Sequence, residues 1–148
     1  MEVKPVHLQE SLHAMEIHIN SNTRIAELQS AFRTEFPHLK LGFFEDRNHD
    51  KKLTADELLK DERTTLSSIK GALSNGSLII EGNMTVEELE FGFLRQFNLH
   101  VQVFRKSGGN WLATSSTDEW TLNEQELRGR EMSSPVEADE PEDYQEHE

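Results

Sequence analysis

One pattern occurs twice in this chain, and a repeated pattern demands two similar units that bury their apolar faces against each other. The first copy reads MEIHINSNTRIAELQSAFRTEFPHLKLGFF and the second SLIIEGNMTVEELEFGFLRQFNLHVQVF. An offset of 61 places Ile17 on Leu78, Ile19 on Ile80, Ile25 on Val86, Leu28 on Leu89, Phe32 on Phe93 and Phe36 on Phe97. After a one-residue deletion near Pro37 the offset becomes 60, and Leu39, Leu41, Phe43 and Phe44 fall on Leu99, Val101, Val103 and Phe104.

Each copy changes period in the same order. Ile17 and Ile19 alternate with Glu16, His18 and Asn20, the two-residue period of a half-buried strand. Ile25, Leu28, Phe32 and Phe36 then recur at spacings of three and four, one apolar stripe on a helix. Asn22 or Thr23 can cap that helix, and Thr85 with Glu88 forms a capping box in the second copy. Pro37 stops the first helix, and Asn98 marks the same corner in the second. Leu39, Leu41 and Phe43 return to period two. Each unit is therefore strand–helix–strand. The pair predicts an α+β domain of ferredoxin-like βαββαβ order, with two helices on one face of an antiparallel sheet.

Two additions complete it. Thr54 and Glu57 open a short helix in the connection between the copies. After Phe104, Gly108–Gly109 supplies the tight turn of a hairpin, and Thr121 with Glu124 opens a last short helix that Gly129 should stop. The domain is expected to span 15–132, behind a loosely attached extension at 1–14. Residues 133–148 hold seven acids, two prolines and no Lys or Arg, so ordering entropy and self-repulsion predict a disordered acidic tail. It reads as a solubilising terminus, the alternative being an interaction tail that docks on the basic Arg105–Lys106 edge.

At this point a resemblance enters. The stretch VQVFRKSG…WL…TDEWTL, with the FPHLKLGFF segment of the first half, resembles a family of small uncharacterised bacterial proteins over roughly residues 15–130. The resemblance implies a shared fold and no activity, ligand or site residue; residues 45–60 depart from the family pattern.

Composition narrows the function. The 28 acidic against 15 basic residues leave a net charge of −13, which argues against nucleic acid, whose affinity comes mainly from basic side chains. Cysteine is absent, so no disulfide, thiolate nucleophile or sulfur-based zinc site exists. No apolar run approaches a membrane span and the N-terminus has no signal-peptide core, so a soluble, cytoplasmic protein is expected. None of the nucleotide, metalloprotease or serine-hydrolase motifs is present, and the paired acids at helix starts suit capping and helix dipoles. No cofactor is expected.

Two candidate sites remain. Asp46, Asn48, Asp50, Thr54 and Glu57 occupy positions 1, 3, 5, 9 and 12 of an EF-hand loop, a calcium candidate weakened by Lys51 where position 6 requires glycine. The sheet face turned from the helices should present Phe44 and Phe104, and with Arg105 and Trp111 these form the candidate interaction face. An RNA-binding sheet would carry aromatics on its first and third strands, where this chain has none. The alternative is that the final helix and Trp120 cover the two phenylalanines. The sequence points to a non-enzymatic interaction or adaptor module with an unidentified protein partner, a monomer or weak homodimer. A calcium-binding module and an enzyme of unrecognised type are the alternatives.

Overall fold

The computed structural model describes residues 13–45, 57–61, 63–69, 71–72 and 75–133. The first copy folds as strand β1 (Ala14–Ile19), helix α1 (Ile25–Glu35) and strand β2 (Leu39–Phe44). The second folds as β3 (Gly76–Glu81), α2 (Val86–Phe97) and β4 (His100–Ser107). Strand β5 (Asn110–Ala113) and helix α3 (Leu122–Met132) follow.

The helix starts differ in a way that their residues explain. In α2, the Thr85 amide donates to Glu88 Oε1 at 2.9 Å and the Glu88 amide to Thr85 Oγ1 at 3.1 Å, a complete capping box. Arg24 is the equivalent residue in α1, not Asn22 or Thr23, and its side chain has no acceptor to offer. Only the return half of the box survives there, with the Arg24 amide on Glu27 Oε1 at 3.2 Å. Thr23 instead takes the Asn20 amide at 3.0 Å, within the turn that precedes the helix. At the other end of α2, Asn98 adopts the left-handed conformation (φ 55°, ψ 37°) that asparagine tolerates, and the chain turns directly into β4.

The fold is α+β, with two antiparallel sheets where a single ferredoxin-like sheet was expected. One contains β1 and β3, the other has the order β2–β4–β5. In neither copy do the strands flanking the helix share a sheet. Each strand pairs instead with its counterpart in the other copy. Ile17 lies opposite Leu78, its own equivalent at the offset of 61, and Gly42 lies opposite Gln102, its equivalent at 60. Antiparallel pairing centred on equivalent residues relates the copies by a local two-fold axis, the self-complementary geometry of a symmetric dimer built into one chain. The period-two pattern specifies which face of a strand is buried and leaves its neighbour open, which is why this arrangement is invisible in one copy alone.

Both sheets and both helices share one core. Phe32 and Phe93, equivalent in the repeat, are each 0% exposed, and Phe43 meets the Phe93 ring edge-on at 6.0 Å. Ahead of β1, His13 lies 3.2 Å from the Glu35 carboxylate and its carbonyl accepts from the Gly82 amide. Between the copies, Leu58 bridges Phe44, and the Leu59 amide donates to the Phe43 carbonyl at 2.8 Å. From Leu58 onward the chain runs alongside β2, where it satisfies backbone groups on that edge; the start of the expected short helix, at Thr54, lies outside the described residues.

The hairpin forms as its glycines require, with Ser107 opposite Asn110 and Gly108 at φ +59°. Gly129 does not stop α3, which continues to Met132. A Cβ on this glycine would sit 2.8 Å from His38 Cβ and 3.1 Å from the His38 carbonyl, so its absence lets the helix approach the start of β2.

Candidate interaction surface

Alternation along the three-stranded sheet gives it two faces of different chemistry. Leu39, Leu41, Phe43, Val101, Val103 and Arg105 face the core side, and all are buried. Lys40, Gly42, Phe44, Gln102, Phe104 and Lys106 occupy the other side.

The four residues proposed for the interaction face separate. Arg105 is only 2% exposed and belongs to the core side, so it leaves the set. Its guanidinium donates to Gln125 Oε1 at 2.7 Å and stands 5.7 Å from the Trp120 ring. Helix α3 and Trp120 therefore lie over Arg105, on the side opposite Phe104, and do not cover the two phenylalanines. Phe44 is buried at 7%. Phe104 is half-buried, its ring lying across Gly42, where a Cβ would come within 2.7 Å of Cε1 and 3.3 Å of Leu58 Cδ1. Trp111 is half-buried on β5, opposite Lys106.

On the core side, polar groups fasten α3. Glu126 accepts the His38 amide at 2.8 Å and pairs with His38 Nδ1 at 2.7 Å, while Gln125 Nε2 donates to Thr117 O and Oγ1 at 2.9 and 3.0 Å. A carboxylate orienting a histidine is also half of a catalytic triad. Here, among the described residues, no hydroxyl bonds to His38, and the same carboxylate is spent on the His38 backbone. The pair positions a helix.

The sheet's outer side carries an unexpected concentration of positive charge. Arg33 and Lys40 each place their cationic group 5.0 Å from the Trp111 ring centroid, and Lys106 stands at 5.2 Å. Each is within cation–π range of one indole. Among the described residues none of the three has a carboxylate partner. Beside them, Gln29, Ser30, Arg33, Thr34, Pro37 and Lys40 line a groove of about 440 Å³ between α1 and β2. Lys40 was legible as outward-facing by alternation. Arg33 was not, because it lies on a helix and reaches the patch only through the packing of α1 on β2.

A second site of unusual chemistry lies on β4, at Val103, just beyond the residues paired with β5. Glu90 Oε2 accepts the Val103 amide at 3.0 Å and Gln102 Nε2 at 3.2 Å. Burial raises its pKa to about 7, the charges of Asp118 and Glu87 push the same way, and the Val103 amide opposes them. Its equivalent in the first copy, Gln29, donates to the Leu41 carbonyl at 2.9 Å. Both helices thus use the same position to satisfy a sheet edge, and only the second uses an ionisable group.

Of the calcium candidates, Asp46, Asn48, Asp50 and Thr54 lie outside the described residues. Glu57 is buried, and its carbonyl accepts the Glu45 amide at 2.9 Å, which joins the two ends of the intervening loop. Among the described residues no three His, Asp or Glu side chains converge as a metal site would require, and no helix is long and apolar enough to cross a membrane. In comparisons with known proteins, the chain matches no family profile, no curated protein and no solved structure.

Proposed function

We propose that this protein is a non-enzymatic interaction module that binds carboxylate-rich protein segments on the outer side of its three-stranded sheet. One observation carries the reading: three cationic side chains, without carboxylate partners among the described residues, surround a half-buried tryptophan on a chain of net charge −13. Like charges gathered at such range repel one another, and an anion that enters among them relieves the repulsion. The indole supplies apolar contact area at low entropic cost, as tryptophan does at interface hot spots. The adjoining groove gives an extended segment somewhere to continue.

The test is titration of a hexaglutamate peptide at low salt, followed by the indole N–H resonance of Trp111, assigned with a Trp120→Phe variant. Saturable movement of that resonance is expected, lost in the double variant Lys40→Glu, Lys106→Glu. Binding that survives the double variant places the site elsewhere.

A second reading concerns residues 46–57 and is favoured by the Glu45–Glu57 hydrogen bond, which closes the base of a loop whose oxygens have calcium-ligand spacing. Lys51 in the glycine position predicts weak affinity, on the order of 10⁻⁴–10⁻³ M. Amide shifts confined to this loop on calcium titration, abolished by Glu57→Gln, test it; no shifts at about 10⁻² M end it.

A further inference from the structure

We infer that the acidic segment 134–148 of this chain occupies the Trp111 patch in cis and competes there with outside partners. The inference rests on the reading of that patch as a carboxylate-binding surface and adds its resident occupant.

Two observations bring segment and patch together. The first is position. The Gly108 amide donates to the Met132 carbonyl at 3.2 Å, so α3 ends against the tip of the β4–β5 hairpin. Lys106 and Trp111 form the second residue pair back from that tip, after Ser107 and Asn110. At ~3.3 Å per strand residue, the patch begins within about 10 Å of where the chain leaves the helix. Glu137, four residues beyond Ser133, can reach about 13 Å on an extended chain. Rounding the hairpin tip from the α3 side of the sheet to the outer side, Glu137 can reach Lys106, and the acids after it can reach Lys40 and Arg33.

The second observation is charge. The segment holds seven acids and no Lys or Arg, so a quarter of the chain's 28 acidic groups are tethered beside three cations that have no carboxylate partner among the described residues. A short tether holds its ligand at an effective concentration in the ~10⁻³ M range, enough to occupy a site that binds free peptide with ~10⁻⁴ M affinity. An outside ligand must then displace the tail and loses roughly tenfold in apparent affinity. Only a partner with more acids, or further contacts in the α1–β2 groove, would displace it readily.

The experiment compares the full-length chain with a full-length variant whose tail is neutralised at all seven acids (E137Q, D139N, E140Q, E142Q, D143N, E146Q, E148Q). The Trp111 indole resonance is read in both, and hexaglutamate is titrated into each at low salt. Cis docking predicts different Trp111 positions in the two proteins, and a parent resonance that moves toward the variant's as salt rises. It also predicts about tenfold tighter hexaglutamate binding by the variant. The Trp120 resonance should coincide in the two proteins, which shows that the domain is unaltered. Equal hexaglutamate affinities with coincident Trp111 resonances overturn cis docking and leave the patch reading standing. A Trp111 difference that grows with protein concentration assigns the tail to the patch of a second copy and overturns the cis assignment. Absence of hexaglutamate binding in both proteins, with coincident resonances, overturns this inference and the patch reading together.

Discussion

Glu90 couples pH to the stability of this fold. Its carboxyl has a pKa near 7 in the native state against an ordinary value of 4.5, so the folded protein holds this proton more tightly than the unfolded chain. The contribution is therefore complete below about pH 4.5 and is lost as pH rises through about 7, amounting to some 2–3 kcal/mol. Glu90→Gln keeps an acceptor for the Val103 amide and removes the proton. Its melting temperature should match the parent's near pH 4.5 and exceed it near pH 8. Parallel melting curves across that interval would show that Glu90 does not titrate abnormally. Gly129 presents a conflict between local and tertiary preference. Alanine is the better helix former by ~1 kcal/mol, yet its Cβ would come within 2.8 Å of His38 Cβ. Gly129→Ala should lower stability in urea by roughly 1–3 kcal/mol, because the clash includes backbone that cannot swing aside.

Among the elements, the two repeat helices are equivalent in what they bury and unequal in how they begin. Phe32 and Phe93 occupy corresponding positions on α1 and α2, both fully buried in the same core. Phe32→Ala and Phe93→Ala should each cost ~3–5 kcal/mol by denaturant titration, since each leaves a cavity of similar size. A strongly unequal pair of losses would mean that the copies do not share the load. Helix α3 depends on a different principle. Its outward side exposes Leu127 at 48%, and its contacts with the sheet combine one buried leucine, Leu122, with the Glu126–His38 and Gln125–Arg105 bonds. Position, rather than burial, is what those polar bonds contribute.

Across the whole molecule, the local two-fold makes cooperativity a consequence of topology. Neither the β1–β3 nor the β2–β4 pairing can outlast the unfolding of one copy, because each takes one strand from each copy. Thermal unfolding should be a single two-state transition, with coincident curves from far-ultraviolet circular dichroism and tryptophan fluorescence. Two separated transitions would show that the copies fold as independent units. The same topology places Lys106 on β4 and Trp111 on β5 at one end of the sheet and brings Arg33 to them from α1. A surface patch built from both copies and the hairpin can persist only while the whole domain is folded.

What the sequence by itself determined was the side of each apolar repeat position and the kind of each repeat element. The matched apolar positions from Ile17–Leu78 to Phe43–Val103 are all buried, because period and hydrophobicity decide which face leaves water. The capping boxes at Thr85 and Thr121 and the turn at Gly108 were legible too, since their chemistry acts over three or four residues. Partner choice was not legible. A half-buried strand presents the same pattern beside any neighbour, so the division into two sheets required the packing of both copies at once. The same holds for the side taken by Arg105, which became a buried anchor beneath α3, and for the meeting of Arg33, Lys40 and Lys106 around Trp111. These contacts join residues far apart in the chain, and their geometry exists only after long-range packing has fixed the backbone.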